Sequence, residues 1–325
     1  MSAAKPGPPT RQPRWGGKPG PPTRQPRWGG SELRFLDPAV LARIGSLELK
    51  AKMVVDGFLS GLHRSPAHGF SAEFAEYRHY MPGDELTSID WKVYARSDRL
   101  YVRKFEEETN LTCHLLLDIS ASMGYGSTGV TKLEYASCLA ASLAYLMSKQ
   151  RDAIGFMAFD DRVVSFLPAN ARSGHLRALL VTLQRLSLGR QTNLSKPLRE
   201  VADGISKRGL VVLISDLLDD PANVLEGVKH FRVRGSDVVV FQVLDPHELT
   251  FPFDRATRFQ DLETDAEVTV TPGDVREEYL KAMKDLVDFY RRELALVGID
   301  YCLLDTSQPL DFALLTYLST RSHSY

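Results

Sequence analysis

Residues 118–129 read DISASMGYGSTG, between the apolar run LTCHLLL (111–117) and an amphipathic segment, KLEYASCLAASLAYLMSK (132–149). A strand that ends in a polar, glycine-rich loop and leads into a helix is where an open α/β sheet gathers ligands. Two chemistries compete for this loop: phosphate held by backbone amides, or a hard cation held by side-chain oxygens. Gly124, Gly126 and Gly129 spell GxGxxG. In a dinucleotide fingerprint, however, the first glycine turns directly off the strand, and here DISASM intervenes. Gly124 and Gly129 also frame GxxxxG, but Val130-Thr131 follows where a phosphate loop requires Lys and then Ser or Thr. Each phosphate reading lacks an essential part.

The front half of the stretch supplies the other chemistry. Asp118, Ser120 and Ser122 form DxSxS at the C-terminal end of the first core strand. Side chains two apart in an extended loop converge on one side. A cation such as Mg2+ takes about six oxygens at ~2.1 Å and keeps several of them as water. Hydroxyls supply neutral ligands, and carboxylates supply charge. Thr192, in LGRQTNLSK (188–196), and Asp216, at the end of GLVVLISD (209–216), belong on the same sheet edge. Taken alone, DxSxS fits a turn or a helix cap equally well. The Thr loop and the strand-end Asp, in chain order, are what make it a candidate metal site.

Working outward, apolar strand candidates occur at 111–118, 153–159, 163–167, 209–216, 237–245 and 299–305, and helical patterns at 132–149, 173–187, 195–207, 221–233 and 274–297. Short β-branched runs separated by amphipathic helices predict a doubly wound, mainly parallel sheet covered on both faces, a Rossmann-like α/β fold. VVSFL (163–167) follows the preceding strand after three polar residues, so it is expected as an antiparallel edge partner. Residues 250–272 are expected to add a small β insertion before the long helix.

Upstream, Asp37 and Pro38 look like an N-cap and first helical position, and Val40, Leu41, Ile44 and Leu47 share one helical face. A helical leader is predicted through about residue 62. Residues 63–71 form a turn-rich break, and 73–108 are dense in charge and aromatics, with RLYVRKF alternating like a strand. The expected organisation is a tail at 1–30, a leader at 31–109 and an α/β domain at 110–325.

Composition bounds the function. The chain has 325 residues, is 43% hydrophobic and carries a net charge of −1, as an ordinary globular protein does. No apolar run approaches the ~20 residues of a membrane span and no secretory signal opens the chain, so the expected location is cytoplasmic. The stretch KPGPPTRQPRWGG occurs twice, at 5–17 and 18–30. Its Pro and Gly density predicts an unstructured or polyproline tail. Without a zinc-finger spacing or a basic recognition helix, nucleic acid is not the expected partner. Cys113, Cys138 and Cys302 lie in apolar or amphipathic runs without CxxC spacing, and are expected to be buried, reduced thiols.

The constellation Asp118, Ser120, Ser122, Thr192 and Asp216 resembles the metal-ion-dependent adhesion site of the von Willebrand factor A-type domain. That resemblance implies that Ser120, Ser122 and Thr192 coordinate Mg2+ directly, with Mn2+ and then Ca2+ as further candidates. It also implies that Asp118 and Asp216 act mainly through water, and that one position stays open for a carboxylate of a protein partner. The preceding segment, with Pro82, Gly83, Asp84, Ile89, Asp90, Trp91, Lys92, Ala95, Arg96, Leu100, Tyr101 and Val102, resembles the signature of the bacterial Domain of Unknown Function 58 family; Glu85 replaces the second Asp of the commoner form. Genes of that family commonly neighbour those of MoxR-type AAA+ ATPases, which implies an adaptor or co-chaperone rather than an enzyme. Asp84, Asp90, Trp91, Lys92 and Arg96 are a candidate second contact surface, but packing of Trp91 against the sheet and ion pairs of Asp90, Lys92 and Arg96 on its rim are the favoured explanation. A nucleotide-dependent enzyme or a metal-assisted hydrolase using Asp118 and Asp216 is the alternative.

Overall fold

In the computed structural model, residues 38–64, 77–79, 101–103, 111–189, 194–205, 208–260, 262 and 267–323 are described. Six strands form the central sheet: β3 (Thr112–Asp118), β4 (Ala153–Phe159), β5 (Val163–Asn170), β6 (Leu210–Ser215), β7 (Asp237–Leu244) and β10 (Asp300–Asp305). Their spatial order is β10-β7-β6-β3-β4-β5. All pairings are parallel except β4 with β5, the predicted antiparallel edge. The remaining strands form two small antiparallel pairs, β1 (Tyr77–His79) with β2 (Tyr101–Arg103) and β8 (Thr257–Gln260) with β9 (Glu267–Val270). The second pair is the expected insertion.

The strands sort their side chains by the two-residue period. Leu115, Leu117, Val212, Ile214, Val239, Phe241 and Val243 enter one core cluster, while Leu116, Val211, Leu213, Val238 and Val240 enter another on the opposite face. The first cluster is covered by α2 (Leu47–Arg64), α3 (Lys132–Lys149), α4 (His175–Gln184) and α9 (Asp311–His323). The second is covered by α5 (Ser195–Gly204), α6 (Pro221–Val233) and α8 (Pro272–Leu296). With apolar residues on both faces, the central strands read as continuous hydrophobic runs. Among their neighbours, β5 alternates partly buried and exposed residues, with Val164 and Phe166 facing outward.

The leader departs from the single predicted helix. It divides into α1 (Pro38–Ala42) and α2, with Gly45 in the break and the Ser46 hydroxyl accepting the Leu49 amide. The Ser46 side chain supplies a fresh N-cap for the second helix. The break also undoes the predicted face, since Leu41 and Leu47 are buried but Val40 is exposed. All three cysteines are buried. Among the described residues, no helix is long and apolar enough to cross a membrane.

Candidate functional site at the sheet's carboxyl edge

From β3 the chain runs to β4 on one side, while β6 lies on the other. The order therefore reverses between β3 and β6, and the crevice outside that point is where open α/β sheets place ligands. Parallel register, with Leu117 opposite Ile214, brings Asp118 beside Ser215 and Asp216. All three are fully buried. The Ser215 hydroxyl donates to Asp118 Oδ2 at 2.6 Å and the Ser120 amide donates to Oδ1 at 2.8 Å. Asp118 thus folds the following loop back onto itself, leaving the Ser120 and Ser122 hydroxyl oxygens 3.1 Å apart.

Two of the glycines of DISASMGYGSTG, Gly124 and Gly126, serve close packing, while Gly129 takes a left-handed conformation at φ 83°. A Cβ on Gly126 would lie 2.4 Å from the Val130 carbonyl oxygen, and one on Gly124 would lie 2.5 Å from Leu188 Cδ1. The amides at the start of α3 are also engaged within the chain. Thr131 and Glu134 form a reciprocal capping box, and the Lys132 amide donates to the Tyr125 carbonyl. A phosphate would find these donors occupied.

Asp216 is held from three directions. Gln242 Nε2 donates to its carbonyl at 2.8 Å, the Leu218 amide approaches Oδ1 at 3.3 Å, and Lys132 Nζ lies 2.8 Å from Oδ2. The next residue, Leu217, is left-handed at φ 55°, a conformation that costs a branched residue of order ~1–3 kcal/mol. The Ser215 hydroxyl accepts the Leu217 amide at 3.0 Å, the Tyr290 hydroxyl donates to the Leu217 carbonyl at 3.0 Å, and the Leu217 side chain is fully buried. These contacts fix the turn that presents Asp216.

Thr192 lies outside the described residues, as do Asp84, Asp90, Trp91, Lys92 and Arg96. The ends of the Thr192 loop are nevertheless tied to the site. The Gly189 amide donates to the Ile119 carbonyl at 2.6 Å, and the Leu194 amide donates to Asp219 Oδ2 at 2.9 Å.

The structure adds residues that sequence reasoning did not select. Lys132 is fully buried and reaches beyond Asp216 to Glu248 Oε1 at 2.6 Å. Glu248 belongs to the short helix α7 (Pro246–Thr250), which Asp245 caps. Asp245 also accepts the amide of Ser127 at 2.8 Å, pinning the glycine loop to the end of β7. One signal for Lys132 was legible: a cation at the first helical position opposes the helix dipole. The signal for Ser215 was its place directly before Asp216.

Burial, and then the charge of Asp216, push the Asp118 carboxyl up to about 7, against the hydrogen bonds from Ser215 and Ser120. Burial likewise raises Glu248, opposed by Lys132. Burial alone would discharge Lys132, but Asp216 and Glu248 outweigh it and hold the ammonium above its ordinary range. Asp216 and Glu248 therefore share the one Lys132 ammonium, with the buried Asp118 carboxyl beside Asp216.

A divalent cation fits this donor set. Adjacent oxygens around an octahedral ion at ~2.1 Å stand ~3.0 Å apart, close to the 3.1 Å between the Ser120 and Ser122 hydroxyls.

These features together are those of an open, doubly wound α/β protein with an acid-and-hydroxyl cluster at its switch point. The chain belongs to the family described as protein of unknown function DUF58, which matches residues 76–286. An uncharacterised protein of Mycobacterium tuberculosis is 28% identical over 251 residues, covering 76% of this chain and 78% of its own length. Among solved structures, the chain is similar to BatB of Bacteroides thetaiotaomicron (17% identity, 65% of this chain and 99% of that one, TM-score 0.47). It is also similar to the VWA domain of SpRpn10 (11% identity, 64% and 94%, TM-score 0.38).

Proposed function

We propose that this protein is a cation-dependent docking module. Ser120, Ser122 and Thr192 hold Mg2+ directly, with Mn2+ or Ca2+ able to substitute, while Asp118 and Asp216 orient the hydroxyls and bound water. When bound, the ion supplies a Lewis-acidic position that a carboxylate of a protein partner completes. The observation that carries the reading is the Ser120–Ser122 hydroxyl pair set over the buried Asp118–Asp216 pair. Two acids enclosed together are costly, the Lys132 ammonium that meets Asp216 is shared with Glu248, and the hydroxyls beside them are oxygen ligands of the kind a hard cation prefers. The family resemblance supports a MoxR-type AAA+ ATPase, or its substrate, as the partner class.

Mn2+ binding followed by loss of the free-ion electron paramagnetic resonance signal tests the reading. Saturable binding by the wild-type chain, lost in folded Asp118→Ala and Ser122→Ala variants, is expected. Equal binding by all three would place any cation elsewhere and overturn the reading.

A further inference from the structure

Lys132 is an unusual choice for its position. It is the first residue of α3 and fully buried, and the helix is already capped by Thr131 and Glu134. Neither capping nor the helix dipole favours an ammonium there. A well-packed apolar side chain would commonly serve the core as well as a buried ion pair does. The ammonium is instead held at a fixed place. Glu248 grips it at 2.6 Å while receiving the Asp245 amide on its other oxygen at 2.8 Å, so Lys132 stays in position independently of Asp216. From there it reaches Asp216 Oδ2 at 2.8 Å.

We propose that Lys132 is a built-in counter-cation that shares Asp216 with the docking ion, lowering the site's intrinsic affinity for a divalent cation so that firm retention requires the partner's carboxylate. The inference rests on the docking reading above. Its physical basis is charge. The ammonium neutralises part of Asp216 and repels a second cation across a poorly solvated space, where such effects are far stronger than in water. A partner carboxylate restores the lost negative charge, so ion and partner bind with positive coupling, each strengthening the other by the same factor. Glu248 works in the opposite direction to Lys132, because its carboxylate offsets the charge of the ammonium it holds.

The test is Mn2+ titration of the full chain, again read by the free-ion resonance signal, in wild type, Lys132→Met, Lys132→Gln and Glu248→Gln. Lys132→Gln retains an amide donor for Asp216 and guards against failure of the methionine variant to fold; near-ultraviolet circular dichroism checks each. Both neutral replacements are expected to bind Mn2+ about ten-fold or more tightly than wild type, and Glu248→Gln several-fold more weakly. A folded Lys132 variant that binds as wild type does, or more weakly, overturns the inference and leaves the docking reading intact. Absence of Mn2+ binding from wild type and all variants overturns the docking reading and this inference together. Binding gained only in the Lys132 variants supports both.

Discussion

Replacing Asp118 by Asn removes one titrating group from the centre of the sheet edge with little change of shape. In the folded chain this carboxyl rises from 3.8 to about 7, through burial first and the charge of Asp216 second. A carboxyl raised on folding holds its proton longer in the folded state than in the unfolded chain. Between those two values the folded state carries the extra proton, so stability is fully present below the lower value and falls as pH rises through the upper one. At ~1.4 kcal/mol per pH unit, the window amounts to about 4 kcal/mol. The carboxamide of the Asp118→Asn variant titrates nowhere in this range. Urea unfolding with chelator present, from about pH 4 to about pH 8, should show the wild type losing roughly 3–4 kcal/mol relative to Asp118→Asn. Profiles that run parallel across the window would refute the assignment of an uncompensated, buried Asp118.

Three further outcomes follow from packing around the site. Gly189→Ala would place a Cβ 2.4 Å from Asp160 Oδ2 and 2.7 Å from its Cβ, and should destabilise the chain by about 1–3 kcal/mol in urea unfolding; an unchanged midpoint would show that Gly189 does not press on Asp160. Tyr290→Phe removes the donor to the Leu217 carbonyl and should cost about 1 kcal/mol, measured the same way, whereas a stabilised variant would contradict the role given to that bond. Burial raises Cys138 to about 11 and Cys302 to about 12, so a thiol reagent near neutral pH should leave both unlabelled until denaturant is added. Rapid labelling of the native chain would contradict the core assignment.

What the sequence disclosed depended on whether a feature was local. The long amphipathic run marked α3, and its predicted span of 132–149 matches Lys132–Lys149. The apolar run before Asp118 marked β3, and the polar interval before Val163 marked the antiparallel edge. Leu41 and Leu47 were legible as core positions. Val40 was misplaced because a break at 43–46, stabilised by one serine cap, resets the helical phase. The helix α7 was missed although Asp245, Pro246 and Glu248 spell a cap, a first position and a capping partner, because five residues carry too little periodicity to register. Lys132 joins Asp216 across 84 positions and Glu248 across 116. Only the fold brings those groups together, so Asp118 and Asp216 could be read along the chain while Lys132 and Glu248 were not.

Everything proposed for this protein turns on a cation site at the β3–β6 switch point. Calorimetric titration of Mg2+ and Mn2+ into the chain, with folded Thr192→Ala as control, addresses that site without any partner. Saturable binding that the substitution abolishes or sharply weakens is expected. Thr192→Ala binding as tightly as the wild type, or no binding by either the wild-type chain or a folded Lys132→Met variant, would contradict it.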